Sequence, residues 1–180
     1  MKMMMTNTRG LYTRKLVMSA MFCALTFLGT CIAIPVPVAG NLNFGDGFLL
    51  VGAWTLGLPW GLGAALGAML SDLAMGYGIY IPATLVIKAL MVTAAVLLRR
   101  TLEKTRLPRL WLRLIPFVLA ELLMTGGYYL FESVFVLDSF GAALANIPFN
   151  LLQGLFALLI ATLATFRDWN FPGTDHRERD

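Results

Sequence analysis

The sequence predicts an all-α membrane protein, a six-transmembrane-helix bundle with both termini in the cytoplasm. Composition is the first indication, because 58% of the 180 residues are hydrophobic and only 13% are charged, against about 25% in a soluble domain. The charges are also segregated, so that long apolar segments alternate with short polar ones. A spanning helix needs about 20 mostly apolar residues. We therefore expect five or six spans and no separate soluble domain.

Six apolar segments follow one another along the chain. They cover residues 16–34, 47–58, 60–75, 82–98, 112–136 and 147–166. We interpret 16–166 as one transmembrane domain between a cytoplasmic segment at 1–15 and a cytoplasmic tail at 167–180. A basic start before an apolar run is also typical of a signal peptide. We favour a retained helix, because this run is long and more spans follow.

Turn residues separate the segments. Residues 35–46 include Pro35, Pro37 and Gly40 and predict a loop. We expect the Asp46 carboxylate to cap the second helix by accepting hydrogen bonds from N–H groups of its first turn. The second segment is short, about 18 Å at helical rise. The glycines and proline of 57–61 predict a tight turn into the third.

Charge placement predicts the orientation. With six spans and a cytoplasmic N-terminus, every Lys and Arg except Lys88 falls in an inner segment, chiefly the basic loop 99–113. The outer loops 35–46, 76–82 and 137–146 contain none, as the positive-inside rule requires. The net charge of +4 is explained by this asymmetry, so it does not indicate nucleic-acid binding.

Polar side chains repeat at helical spacing in the later segments. They are Glu121, Thr125, Tyr128 and Glu132 on the fifth, Asn146, Asn150 and Gln153 on the sixth, and Thr84 and Lys88 on the fourth. Residues at these spacings share a helix face, and most of them lie at the depth of Asp72 and of Asn41, Asn43 and Asp46 in the first outer loop. Unpaired polar groups are costly in lipid. We therefore expect a cavity open to the outside, with Glu121 deeper.

A purely structural network is the alternative for these residues. In it Lys88 pairs with Asp72 or Glu132, and the amides join helices. Lys88 alone could also extend its ammonium to the outer surface.

Small residues characterise the inner half. Ala20 and Ala24 on the first helix are four apart, and Gly57 with Gly61 and Gly63 with Gly67 repeat the spacing. Such pairs allow close helix approach. They indicate either a docking surface or ordinary internal packing. Cys23 and Cys31 are about 12 Å apart on one helix, too far to bridge.

These motifs resemble the substrate-binding S components of energy-coupling factor (ECF) vitamin transporters, in the riboflavin-type or hydroxymethylpyrimidine-type group. The resemblance covers residues 14–166. The motifs that carry it are Asn43-Phe44-Gly45-Asp46, the glycine-rich turn 57–67, Ser71-Asp72-Leu73 with Gly76-Tyr77, Pro82-x-Thr84-x-x-x-Lys88, and Ala20-x-x-x-Ala24. Ala89 departs from the glycine expected after the lysine.

The resemblance implies a multi-pass protein of the cell membrane that binds a vitamin or precursor from outside. It implies partners, a transmembrane coupling subunit contacted by Ala20 and Ala24 and two subunits that hydrolyse ATP, with no cofactor of its own. The first outer loop would act as a lid, and tilting of the S component would release the substrate inside. The candidate substrate-binding residues are Asn43, Asp46, Asp72, Tyr77, Lys88, Thr125, Tyr128, Glu132, Asn146, Asn150 and Gln153.

Three other functions are alternatives. A membrane enzyme is disfavoured because the single histidine, His176, lies in the tail, so that a Ser–His site or a His-rich metal site in the membrane is excluded. Asp46 and Asp72 could form a carboxylate site, but they are not spaced as a motif. A scaffold resembling the MreD-type cell-shape subunit needs no polar cavity. A stand-alone secondary transporter or channel is disfavoured because no inverted repeat is evident.

The sequence does not identify the substrate. Tyr77, Tyr80, Tyr128, Tyr129 and Trp54 could stack on a flat ring such as a pyrimidine, pyridoxine or flavin. Lys88 favours an anionic group and keeps pantothenate open.

Overall fold

A computed structural model describes residues 2–36 and 41–166, with side chains from residue 10 onward. The predicted tail 167–180, with His176, lies outside the described residues, as do Pro37 and Gly40 of the predicted first loop.

Helices make up most of the described chain. They are α1 (Lys2–Cys31), α2 (Gly45–Leu56), α3 (Leu62–Met75), α4 (Ile81–Leu102), α5 (Arg109–Phe131), the short α6 (Phe140–Ala143) and α7 (Ile147–Phe166). Two 3-10 turns precede α4 and α7, at Gly78–Tyr80 and Leu144–Asn146, and a π-helical turn at Glu132–Val136 continues α5. α7 begins and ends at the predicted residues, and α1 continues across the boundary predicted at residues 15 and 16.

Within the described residues, four helical segments are long and apolar enough to cross a membrane: Gly10–Cys31, Gly78–Leu102, Arg109–Val136 and Phe140–Phe166. α2 and α3, with 12 and 14 residues, are shorter. These lengths agree with an all-α membrane protein, while the count of six spans stays a prediction. Large apolar side chains such as Leu28, Leu122 and Leu155 are more than half exposed, as expected of a surface that faces lipid.

The predicted first loop contains a small β-hairpin. β1 (Ala33–Pro35) pairs antiparallel with β2 (Asn41–Asn43), with Ile34 opposite Leu42. The first helix therefore ends at Cys31 and not at residue 34 as predicted. Pro35 accounts for the difference, because the residue before a proline is restricted to extended conformations.

Asp46 is not the cap that the sequence predicts. It lies inside the first turn of α2, and its carboxylate bonds to side chains of other helices. Asn43 replaces it locally, because its Oδ1 accepts a hydrogen bond from the Gly45 amide at 3.0 Å. A long-range partner thus determines the orientation of Asp46, where the prediction used only local geometry.

The glycines of α3 serve internal packing. A Cβ added at Gly63 would lie 2.2 Å from Ser19 Oγ, and one at Gly67 would lie 2.1 Å from the Cys23 carbonyl oxygen. Only glycine therefore allows α1 and α3 to approach this closely. Ala20 and Ala24, by contrast, are exposed on α1.

The bundle has two different ends. We call the end that carries the hairpin, Gly76–Tyr80 and Glu132–Asn146 the hairpin end, and the end that carries 57–61 and 103–108 the basic end. The turn at 57–61 is closed by a hydrogen bond of 2.7 Å from the Gly61 amide to the Gly57 carbonyl. Gly57 has φ of +63° there, a conformation that favours glycine.

Two arginines of the predicted basic loop are buried helix residues. Arg99 belongs to α4 and Arg113 to α5, and they are 8% and 4% exposed. The Arg99 guanidinium lies 4.0 Å from the ring centre of Trp54 and donates to the Trp54 carbonyl oxygen. The loop between α4 and α5 therefore covers only 103–108. Both arginines contact the Trp54 ring, which explains why they are buried.

Candidate binding cavity

A cavity of about 470 Å³, counting its open mouth, lies near the hairpin end. The hairpin and helices α1, α3, α4, α5 and α7 all contribute to its wall. The lining residues are Thr30, Asn41, Asn43, Ala68, Asp72, Tyr77, Tyr80, Thr84, Lys88, Tyr128, Glu132, Asn150 and Gln153.

A buried ion pair forms one side of the cavity. Lys88 Nζ lies 2.5 Å from Asp46 Oδ1, and the two side chains are only 3% and 1% exposed. The structure corrects both sequence-based readings of Lys88, because the lysine pairs with neither Asp72 nor Glu132 and does not extend to the surface. A buried charge is tolerated when a partner and further hydrogen bonds satisfy it. Lys88 and Asp46 meet that condition together.

Gln153 connects the ion pair to the hairpin. Its Nε2 donates to Asp46 Oδ2 at 2.6 Å, and its Oε1 accepts from the Asn43 amide at 2.9 Å. One side chain of α7 thus holds both the hairpin and the carboxylate that holds Lys88. The position of the hairpin is coupled to the polar wall through this amide.

Three tyrosines also line the cavity. The ring centres of Tyr77 and Tyr80 are 6.2 Å apart, and those of Tyr80 and Tyr128 are 6.4 Å apart. The Lys88 ammonium lies 5.2 Å from the centre of the Tyr128 ring, within the range of a cation–π contact. The Tyr128 hydroxyl is 3.0 Å from Thr84 Oγ1. These rings give the cavity flat, partly polar surfaces.

Glu132 marks the point where α5 becomes π-helical. Its Oε2 accepts from Asn146 Nδ2 at 2.7 Å, and its Oε1 accepts from the Tyr80 hydroxyl at 3.3 Å. π-helical turns often occur at functional sites. Here the turn lies where Glu132 joins the cavity wall and ties the start of α7 to α4.

Asp72 presents a free acceptor to the cavity. Its side chain is 7% exposed, and within the described part of the chain its Oδ2 has no hydrogen-bond partner. The end of α3 fixes its position, because Gly76 adopts φ of +81° and the Tyr77 amide donates to the Asp72 carbonyl at 2.8 Å. This turn places Asp72 and Tyr77 on the same cavity.

Three of the predicted binding residues do not line the cavity. Asp46 lies behind Lys88 and Gln153, and Asn146 is occupied by Glu132. Thr125 is 7% exposed, and its Oγ1 has no hydrogen-bond partner among the described residues. The other eight lie on the wall: Asn43, Asp72, Tyr77, Lys88, Tyr128, Glu132, Asn150 and Gln153.

Two of the predicted stacking residues lie elsewhere. Trp54 lies at the basic end, between Arg99 and Phe117, and its ring centre is 5.5 Å from that of Phe117. Tyr129 packs against Phe140, with ring centres 6.3 Å apart. Neither ring borders the cavity.

Five cavity residues are missing from the predicted set. Asn41, Tyr80 and Thr84 carried a signal, since they are polar or aromatic at the right depth. Thr30 had a weaker one, because Thr26 and Thr30 are four residues apart on an apolar helix. The only sequence signal for Ala68 is that it lies four residues before Asp72.

A helical bundle with an internal polar cavity at one end defines an integral membrane protein of the ligand-binding kind. The comparison with family models identifies it further: the chain belongs to the family described as ECF-type riboflavin transporter, S component, whose model matches residues 10–166. The resemblance inferred from the motifs and the prediction of an all-α membrane protein are thereby confirmed. No curated protein sequence matches the chain.

A solved structure has a similar fold. It is described as "Structure and mechanism of the S component of a bacterial ECF transporter", with a TM-score of 0.65 over 85% of this chain and 94% of that chain. The two sequences are 21% identical, so the likeness concerns the fold. Together with the family match, it favours an S component over the scaffold and the stand-alone transporter.

Proposed function

We propose that this chain is the substrate-specific S component of an ECF-type ABC importer. It captures a small water-soluble vitamin or precursor, of the pyridoxine, hydroxymethylpyrimidine, riboflavin or pantothenate class, outside the cell. The observation that carries the proposal is a cavity onto which the hairpin and five helices direct polar and tyrosine side chains. A scaffold would have no use for such a hollow.

Charge placement supports an outward-facing cavity. Among the described residues, Lys and Arg are concentrated in the N-terminal part of α1 and around the basic end, with Lys88 the exception. By the positive-inside rule the basic end is cytoplasmic. The hairpin end then faces outward with the cavity mouth, six helices cross the membrane with α2 and α3 as short spans, and the hairpin acts as a lid.

Energy for release comes from partner subunits in this proposal. Ala20 and Ala24 are exposed one turn apart on α1, among the exposed apolar side chains Leu16, Met21 and Leu28. Small residues in an apolar stripe allow another helix to approach closely. The transmembrane coupling subunit docks there, and two ATP-binding subunits hydrolyse ATP, so the S component itself needs no cofactor.

Substrate recognition combines stacking with hydrogen bonding. Tyr77, Tyr80 and Tyr128 offer ring faces, while Asn150 Nδ2, which has no hydrogen-bond partner in the described chain, offers a donor. The Lys88 charge is already neutralised by Asp46. The sequence-based case for an anionic substrate therefore loses its support.

Ligand binding is tested directly with the purified chain in lipid nanodiscs. A panel of vitamins and precursors is screened by thermal shift and then by calorimetry. We expect sub-micromolar affinity for one compound or one closely related group. A flat response across the whole panel contradicts the proposal.

Docking is tested with Ala20→Trp and Ala24→Trp. We expect both variants to lose uptake in cells that carry the partner subunits and to keep ligand affinity, because an indole blocks close helix approach without reaching the cavity. Val86→Trp is the matched control, since Val86 is 58% exposed on α4. Loss of binding in the alanine variants assigns these residues to internal packing.

A further inference from the structure

Buried carboxyl groups outnumber buried cations near the cavity. The carboxyl groups of Asp46, Asp72, Glu121 and Glu132 and the single ammonium of Lys88 are each at most 7% exposed. The buried arginines of the described chain, Arg99 and Arg113, lie against Trp54 at the basic end. Surroundings this poor in water make an uncompensated charge costly. The hairpin half of the bundle is therefore short of cations and hydrogen-bond donors.

Two of the four carboxyl groups have donors from the protein. Asp46 accepts from Lys88 and Gln153. Glu132 accepts from Asn146 and Tyr80. Neither group needs a ligand to complete its hydrogen bonds. The Lys88 ammonium is already paired with the Asp46 carboxylate.

The other two carboxyl groups keep at least one oxygen without a donor. Asp72 Oδ2 and both Glu121 oxygens have no hydrogen-bond partner among the residues described. Glu121 lies against α7, where a Cβ added at Gly154 would be 3.3 Å from its Oε2, and it is not part of the cavity wall. Asp72 is on the wall. Of the two, Asp72 is the acceptor that a ligand in the cavity can reach.

We infer that the cavity takes a flat heteroaromatic ligand that carries an exocyclic amine or ammonium group, with Asp72 as the acceptor. The inference rests on the proposed function and narrows its substrate class. It disfavours an anion such as pantothenate and a ligand whose polar groups are mainly acceptors.

Two physical effects act together on such a ligand. A charge-assisted N–H···O bond to a carboxylate is shorter and stronger than a neutral one. A cation is also attracted to the faces of tyrosine rings, and Tyr77, Tyr80 and Tyr128 share the cavity with Asp72. The same ligand group therefore satisfies the free acceptor and the aromatic wall.

Matched ligand pairs test the inference. Pyridoxamine and pyridoxine share a ring and differ by an ammonium in place of a hydroxyl. The second pair is 4-amino-5-hydroxymethyl-2-methylpyrimidine and its 4-oxo analogue, in which a carbonyl oxygen replaces the exocyclic amine and the remaining N–H lies in the ring. Calorimetry on the full chain in nanodiscs should show that the amine member of at least one pair binds about tenfold tighter or more, as expected for a hydrogen bond to a charged group.

Asp72→Asn provides the matching variant, because it keeps the shape and removes the charge. We expect it to abolish the preference for the amine. Asp138→Asn is the control: it removes an exposed carboxylate at the same end of the bundle, and its φ of +46° is one that Asn tolerates. This control should keep the preference.

Two results overturn the inference and leave the proposed function standing. One is equal affinity within both pairs. The other is tight binding of riboflavin or pantothenate that Asp72→Asn does not change. Absence of binding by every compound, including those two, contradicts the proposed function itself. The ligand pairs are decisive on the unmodified protein, even where Asp72→Asn does not fold.

Discussion

The two halves of the bundle treat buried charge differently. In the hairpin half, Lys88, Asp46 and Gln153 form a hydrogen-bonded chain beside a hollow, and Asp72 retains a free oxygen. In the basic half, Arg99 is held by the ring and carbonyl oxygen of Trp54 and by Glu103 at 2.6 Å. The hairpin half therefore keeps an acceptor that a ligand can use. The basic half uses its arginine to join α4 to α2.

Packing follows the same division. Side chains such as Leu50, Val92 and Phe117 are fully buried below the polar layer. The cavity wall, by contrast, is dominated by polar and tyrosine side chains. A low-dielectric interior makes every unsatisfied group expensive, so the unpaired polar atoms of this layer are better explained by ligand binding than by stability.

The largest expected effect on stability comes from Lys88→Met. It leaves the Asp46 carboxylate buried without its cation, and breaking a buried ion pair in this way costs about 3–5 kcal/mol. Thermal unfolding in nanodiscs measures the loss. The double variant Lys88→Met with Asp46→Leu should recover much of it, because no unpaired charge remains. Equal stability of the single variant and the unmodified protein would show that Asp46 is not charged.

Arg99→Met addresses the basic half. It removes the contact with Trp54 and the hydrogen bonds to the Trp54 carbonyl and Glu103, and we expect a loss of about 2–3 kcal/mol in stability. Ligand affinity should stay within about threefold, since Trp54 and the cavity lie at different ends. A large loss of ligand affinity in a folded variant would show that the basic half contributes to binding.

Gly67→Ala tests the seam between α1 and α3. The new Cβ would lie 2.1 Å from the Cys23 carbonyl oxygen, so the helices must separate, at a cost of about 2 kcal/mol. Gly126→Ala is the matched control, because nothing lies within 4 Å of its Cβ position and alanine favours a helix. The control should be neutral or slightly stabilising. A neutral Gly67→Ala would mean that the seam is looser than described.

The sequence predicts helix faces better than side-chain partners. The spacing of Glu121, Thr125 and Glu132 places all three inside the bundle, as the structure has them, because a helix repeats every 3.6 residues. The partner of Lys88 is Asp46, 42 residues away. That choice depends on how α2 sits between α1 and α7, which no local pattern encodes.

The arginines around the basic loop show a second case in which the sequence does not reveal side-chain partners. Counting arginines correctly indicates a charged end, but it does not distinguish Arg99 and Arg113 from their exposed neighbours. These two turn inward because Trp54 offers a ring face there. The tryptophan is 45 residues from Arg99 in sequence, so the signal is visible only after folding.

Tyr128→Phe should have the smallest effect and sharpen the account of the cavity most. It removes the hydroxyl that contacts Thr84 at 3.0 Å, for a loss of about 1 kcal/mol in stability, and it keeps the ring beneath Lys88. If the ring face is what a ligand uses, affinity changes less than about threefold. Tyr129→Phe is the control, because its ring packs on Phe140 away from the cavity. A tenfold loss confined to Tyr128→Phe would show that the hydroxyl binds the ligand directly, so that this wall recognises hydrogen-bonding groups and not only a flat surface.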